Sequence, residues 1–228
     1  MALGLITRIL LAGFSQRLGA AYSVRLANND VIQFGLTNNE VVQYVGYADS
    51  GEEVVKLVKS LRPDIVLINA HIKGIGSLEA IKRIKKMSHK THIIGFSNID
   101  DGLYASLHFK AGAEGFIHPN HTLNDTLEAI KTVKDGQLYQ CELTKSQIQS
   151  PPSTDLQPFV ALTERELQVA TMISQGYNNA DIAKKLSISN KSILSYKARV
   201  FKKLSLSNDV ELSHCALKHN MIIIEKSG

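Results

Sequence analysis

The chain has 228 residues, which at roughly 100–200 residues per domain allows one large domain or two small ones. With 44% hydrophobic and 21% charged residues it has ordinary globular composition, which excludes a wholly disordered chain, a collagen-like repeat and a disulfide scaffold. The net charge of +5 is uneven: residues 1–159 carry 16 basic and 15 acidic side chains, residues 160–228 carry 10 and 6.

The first part of the chain alternates strand-like and helix-like patterns. Arg8–Ala12 is a short apolar run, and with Arg8 breaking Met1–Phe14 it reads as a buried strand and not as a signal peptide. Asn28–Asn39 reads as a polar loop. Val41–Tyr47 is the next strand and Ser50–Leu61 a helix. Asp64–Ile68 is a β-branched run of the kind buried on both faces of a parallel sheet. Gly76–Lys86 shows helical spacing through Leu78, Ile81 and Ile84. Thr91–Phe96, Leu103–Ala111, Gly115–Ile117 and Leu123–Val133 continue as strand, helix, strand and helix. This alternation predicts a doubly wound α/β domain over residues 1–137, with its functional crevice at the carboxyl ends of the strands.

Residues 138–158 read as a linker, because Gln147–Pro158 carries three prolines among Ser, Thr and Gln. Residues 159–228 then read as short helices. Thr163 is an N-cap with acidic residues in the first turn, so Thr163-Glu164-Arg165-Glu166 is a helix start and not an acid/base pair. That helix stops at Gly176. Asn179–Leu186 is a second helix, Ser187-Ile188-Ser189 a turn, and a third helix runs from Asn190 or Lys191 to Leu204. Asn208–His219 is the fourth.

Two short helices, a three-residue turn and a basic second helix make a helix-turn-helix pattern. Lys184–Lys203 holds seven basic residues and no acidic one, which points to a polyanion partner. In the third helix Ile193, Tyr196, Val200 and Leu204 share the core face, while Lys191, Ser195, Ala198 and Lys202 share the opposite one. That outer face is small in the middle and basic at both ends. It suits a major groove about 12 Å wide, with the lysines reaching phosphates on either side. The expected DNA-binding set is Lys191, Ser192, Leu194, Ser195, Lys197, Ala198, Arg199 and Lys202.

Leu162-Thr163-Glu164-Arg165-Glu166, Gly176, Asp181–Leu186, Ile188-Ser189 and Lys203-Leu204 together resemble the LuxR-type helix-turn-helix domain. Ser195-Tyr196-Lys197 with Arg199 and Asp209–Leu212 is similar to the GacA/UvrY/LetA branch of response regulators. The resemblance implies that this third helix reads the major groove and that the last helix forms a dimer contact, here through Val210, Leu212 and Ala216. Leu194 departs from the polar residue usual in that branch, and an apolar side chain there suits a thymine methyl.

The first domain is similar to the response-regulator receiver domain in Arg62–Leu67, Gly74-Ile75-Gly76, Leu78-Glu79-Ala80 and Ala111-Gly112-Ala113. Ala48–Glu53 also matches. The resemblance implies a phosphoryl-accepting Asp at the end of the third strand, an acidic pair after the first strand to hold Mg²⁺, and a Lys after the fifth. This sequence offers Asn69, then Gly13 and Phe14, then Pro119 (His118 if the register slips by one); Ser97 alone keeps the switch position. An amide oxygen is a poor nucleophile beside a carboxylate, and a hard cation wants carboxylate oxygens. The reading is therefore a receiver without phosphorylation or Mg²⁺, and Asn69→Asp alone is not expected to restore it.

His118 and His121 have no third ligand nearby and read as polar loop residues. Cys141 and Cys215 are far apart, which fits a reducing compartment, and no apolar run approaches the ~20 residues of a membrane span. The sequence thus predicts a cytoplasmic, non-enzymatic, dimeric regulator that binds double-stranded DNA without Asp phosphorylation. Two alternatives stand beside it: a protein that dimerises with an intact related response regulator and modulates it, and a small-ligand-gated regulator.

Overall fold

The computed structural model describes residues 6–13, 41–97, 102–117, 122–141, 145 and 157–222. The polar loop Asn28–Asn39, Phe14, His118, Pro119 and His121 lie outside these residues.

The first domain is built on a six-stranded, wholly parallel sheet. Its strands are β1 (Ile6–Ala12), β2 (Val41–Ala48), β3 (Ile65–Asn69), β4 (His92–Phe96), β5 (Gly115–Ile117) and β6 (Tyr139–Gln140), in the spatial order β2-β1-β3-β4-β5-β6. Among the described residues four helices connect β2 through to β6: α1 (Gly51–Leu61), α2 (Gly76–Met87), α3 (Gly102–Ala111) and α4 (Leu123–Lys134). The apolar strand runs divide between the two faces with period two. Leu10, Ala12, Val66 and Ile68 pack with Val54 and Val58 of α1 and Ile81 and Ile84 of α2. Ile9, Leu11, Ile65 and Leu67 pack with Ala129, Ile130 and Val133 of α4 on the other side. The strand order reverses at β1, so the crevice opens beyond the carboxyl ends of β1 and β3.

The expected linker from residue 138 gives way at both ends. Tyr139 buries its ring and pairs with Gly115, which adds β6 to the sheet. Gln157–Val160 forms a single turn, α5, and Phe159 is buried against His219 with ring centroids 5.9 Å apart.

The second domain holds α6 (Glu164–Ser174), α7 (Asn179–Leu186), α8 (Asn190–Leu204) and α9 (Asp209–Lys218). Each begins where a side chain caps the first turn: Thr163, Asn178, Ser189 and Asn208 accept from the backbone N–H three residues on. Thr163 and Glu166 form a reciprocal capping box. α7 and α8 end at Ser187 and Ser205, both in the left-handed region (φ 54° and 56°). The core is Leu167, Ala170, Ile173, Ile182, Leu186, Ile193 and Val200, closed by Leu212 and Ala216 of α9.

Candidate DNA-binding face and receiver crevice

α8 is fixed to its domain from the inside. Ile193 and Val200 are fully buried, and Tyr196 and Leu204 pack half-buried beside them. At its far end Glu166 is buried and accepts from Lys203 Nζ at 2.7 Å, with Arg199 Nε 3.4 Å away. Burial pushes the Glu166 carboxyl up, but the bonds from Lys203 and Thr163 outweigh it and hold the carboxyl below its usual range. A buried charge satisfied in this way ties α8 to α6.

The outer face of α8 stays exposed: Lys191, Leu194, Ser195, Ala198, Arg199 and Lys202 all face solvent. Leu194, at 52% exposure, is one of the few large apolar side chains left open. Among the described residues no ion pair holds Lys191 or Lys202. The hydroxyl of Ser195 donates to Lys191 O at 3.0 Å, which leaves its oxygen as an acceptor. Besides Ser195, three more of the expected DNA-binding side chains are engaged within the domain. Ser192 joins the N-cap: its hydroxyl lies 2.8 Å from Ser189 Oγ, which also accepts from the Ser192 backbone N–H at 3.0 Å. Lys197 pairs with Asp209 at 2.7 Å and lies over the Phe201 ring. Arg199 stacks on Tyr196 at 4.6 Å while its side chain remains about half exposed.

The expected dimer set needs correction. Leu212 and Ala216 are fully buried in their own domain, so they cannot reach a partner chain. Val210 lies two residues from Leu212, about 200° around the helix, and is 63% exposed. His214 and Leu217 follow Val210 at helical spacing and share its outward side, exposed and half-buried respectively.

In the crevice, both ends of the Asn69 amide are engaged by the chain itself. Its Nδ2 donates to Gly13 O at 2.8 Å, and its Oδ1 accepts from the His71 N–H at 2.9 Å. A carbonyl can only accept and an N–H only donate, so the orientation of this amide is fixed by its partners. Gly13 has φ +72°, and a Cβ on it would stand 3.0 Å from both Asn69 Cβ and Ile72 Cβ. A side chain at position 13 is therefore opposed by backbone conformation and by space. Ser97 is buried, and its hydroxyl lies 3.4 Å from His71 Nε2. The side-chain donors that the described residues offer here are an amide, a hydroxyl and an imidazole. They do not fit Mg²⁺, which takes carboxylate oxygens.

His71 was not among the expected site residues, and only its place two residues after Asn69 marked it. Its Nδ1 donates to Met221 O, 3.2 Å away in the second domain, and its ring meets Tyr104 edge-on at 4.7 Å. Burial pushes its imidazole down to about 4, so it is neutral at pH 7. His108, fully buried behind Tyr104 with Nδ1 2.7 Å from Tyr104 O, is likewise pushed down to about 4 by burial. Among the described residues no cluster of three His, Cys, Asp or Glu is placed to hold a metal, and neither cysteine forms a disulfide.

A parallel sheet with its crevice at β1 and β3, joined to a four-helix domain with an exposed basic helix, defines a two-domain response regulator. Residues 27–131 match the response regulator receiver domain, and residues 160–216 match the LuxR family of bacterial regulatory proteins. The response regulator GacA of Pseudomonas aeruginosa is 32% identical over 202 residues, covering 86% of this chain and 94% of that one. The response regulator UvrY of Escherichia coli K12 is 34% identical over 185 residues, covering 79% and 84%. The chain belongs to the LuxR-family response regulators and is a DNA-binding transcription factor of that family. A structure of the Salmonella typhimurium response regulator RcsB has the same fold, with TM-score 0.64 at 18% identity over 92% of this chain and 96% of that one. RcsB of Salmonella enterica serovar Typhimurium bound to the promoter rprA in the presence of phosphomimetic BeF3⁻ is also similar, with TM-score 0.64 at 20% identity over 92% and 98%.

Proposed function

We propose that this chain regulates transcription from the cytoplasm as a sequence-specific, dimeric DNA-binding protein, without enzymatic activity and without phosphorylation at Asn69 or a bound Mg²⁺. The observation that carries the reading is the Asn69 amide bridging Gly13 O and the His71 N–H. That bridge takes up the position where a carboxylate nucleophile would need to be free, and it closes the strand end against a cation.

On the DNA side, Lys191 and Lys202 reach phosphates while Leu194, Ser195 and Ala198 face the bases. The outer side of α9 around Val210 is the dimer surface. RcsB, a similar fold, is recorded in complex with DNA, which agrees with this use of the fold. No helix among the described residues is long and apolar enough to cross a membrane.

The test is incubation with Mg²⁺ and labelled acetyl phosphate, followed by DNA binding with and without the donor. The expected result is no label in the protein and the same affinity in both arms. Label that survives in wild type and is lost in Asn69→Ala overturns the reading. The ligand-gated alternative is separated by a thermal-shift screen of small molecules, in which a specific ligand at 100 times its Kd adds ~2.7 kcal/mol to the stability of the chain. The mixed-dimer alternative is separated by gel filtration with a related response regulator.

A further inference from the structure

The two domains meet along a surface that pairs charge with charge. On the first domain α2 presents Glu79 and Lys82, and α6 of the second presents Arg165 and Glu164 against them. Lys82 Nζ donates to Glu164 at 2.7 Å, and Arg165 Nη1 to Glu79 at 3.2 Å. Arg83, steadied by Glu79, donates to Lys185 O at 2.9 Å, at the end of α7. Lys185 Nζ itself bonds to Glu52 of α1.

Glu52 is placed for this contact by its own domain. Its second oxygen accepts from the Ile75 N–H at 3.0 Å, and it lies where a Cβ on Gly74 would be, 1.9 Å from that point. Between the polar contacts Ile75 and Leu78 face Leu167 and Met172 across a water-sized cavity, and Gln168 Nε2 donates to Ile75 O at 2.9 Å. At the far edge the His71–Met221 bond joins the crevice to the end of the second domain.

This contact takes the back of the second domain. It uses Glu164, Arg165 and Gln168 of α6, the end of α7 and the chain after α9. The outer face of α8 remains exposed with the first domain in place, and so does Val210. We infer that the first domain is a fixed clasp on the second and not a lid over it: Glu52, Glu79 and His71 hold the helical domain from behind and leave its DNA face and its dimer face open. The inference rests on α8 being the helix that reads DNA, and it makes the intact two-domain chain the DNA-binding unit.

Zero-length carbodiimide coupling tests this on the full chain. It joins a carboxylate to an amine already in contact as an amide, the carbodiimide taking up the water released. Glu52–Lys185 and Glu164–Lys82 are such pairs, and peptide mass spectrometry identifies both. The control is Lys82→Arg with Lys185→Arg, which keeps both positive charges but supplies no amine for coupling. Binding is read on a random-sequence duplex at low salt.

Coupled wild type is expected to bind within about threefold of the control treated in the same way, since counter-ion release by α8 is untouched. A loss of tenfold or more in coupled wild type alone makes the first domain a lid and overturns the inference. Absence of the Glu52–Lys185 peptide overturns it as well, because the clasp is then not populated. Untreated wild type that binds no duplex removes the DNA reading itself and the inference with it, an outcome distinct from the other two.

Discussion

The crevice at β1 and β3 and the outer face of α8 occupy the two places where this fold does its work, and their polar groups are used in opposite ways. In the crevice Asn69 turns donor and acceptor onto the chain, Ser97 faces His71, and Gly13 leaves no space for another side chain. On α8 the lysines at both ends of the outer face stand in solvent, with small side chains between them. One region has become part of the packing and the other keeps its hydrogen-bonding capacity outward. Capacity for an external partner follows from which groups the fold leaves uncommitted. Residue identity alone does not give it, since Lys197 on α8 is as basic as Lys191 and yet is paired with Asp209.

The largest effect expected comes from forcing the crevice back toward its family's chemistry. Asn69→Asp sets a carboxylate oxygen against Gly13 O at the 2.8 Å now spanned by a hydrogen bond. Losing that donor in a buried place costs ~1–3 kcal/mol, and more because the new group is charged. The variant should unfold at lower denaturant concentration at pH 7. Its carboxyl pKa would be raised by the repulsion, so stability should recover as the pH falls and the protonated acid can donate to Gly13 O. An unfolding midpoint equal to wild type at pH 7 would show that the crevice adapts to a carboxylate.

On α8, replacing Lys191 and Lys202 together with Ala should weaken binding to every duplex and lower the slope of log affinity against log salt by about 2, at ~0.9 per phosphate contact. Fluorescence anisotropy over a salt series reads it directly. Leu194→Ala should act differently, shifting preference at one base pair by ~1 kcal/mol with the salt slope unchanged, as loss of a methyl contact would. A uniform loss across sequences would place Leu194 away from the bases.

The helices, the main strands and the outer face of α8 were legible because they rest on local periodicity and capping, such as Thr163 and Glu166 three residues apart. What joins distant parts of the chain was not. Glu52 and Lys185 are 133 residues apart, and His71 and Met221 150, so no spacing rule brings them together. β6 is two residues long and has no period to read; it exists because Tyr139 finds a place beside β5. The inward turn of Leu212 and Ala216 follows from helical spacing. A dimer role carried over from the family set that spacing aside, and only Val210 of the three is turned outward.

The clasp gives a smaller effect with a definite sign. His71 is neutral while Ser97, Tyr104 and Met221 enclose it, and Tyr104 and His108 of α3 are titratable groups beside it. Opening the clasp returns its imidazole toward the ordinary value near ~6.5. A depressed histidine favours the closed form fully above that value and loses this contribution as the pH falls toward about 4. The ratio of closed to open chain should therefore drop by up to about tenfold between pH 7.5 and pH 5.5. Small-angle scattering would record a growing radius of gyration, and His71→Gln should remove the trend. His108, fully buried inside the first domain, should instead lower the unfolding midpoint over the same range without separating the domains.

The smallest effect separates the two kinds of basic residue on α8. Lys197 is 20% exposed, lies 2.7 Å from Asp209 and sits over the Phe201 ring at 5.6 Å. Asp209 is itself about half exposed, so the pair contributes ~1 kcal/mol or less to the domain. Lys197→Ala should lower the unfolding midpoint slightly and leave the salt slope of DNA binding within experimental error of wild type. The same substitution at Lys191 should do the reverse, leaving stability unchanged and removing nearly one unit of slope. If Lys197→Ala also removes a unit, the ion pair with Asp209 opens on DNA and Lys197 joins the phosphate contacts, which would make the basic face of α8 wider than the free chain presents.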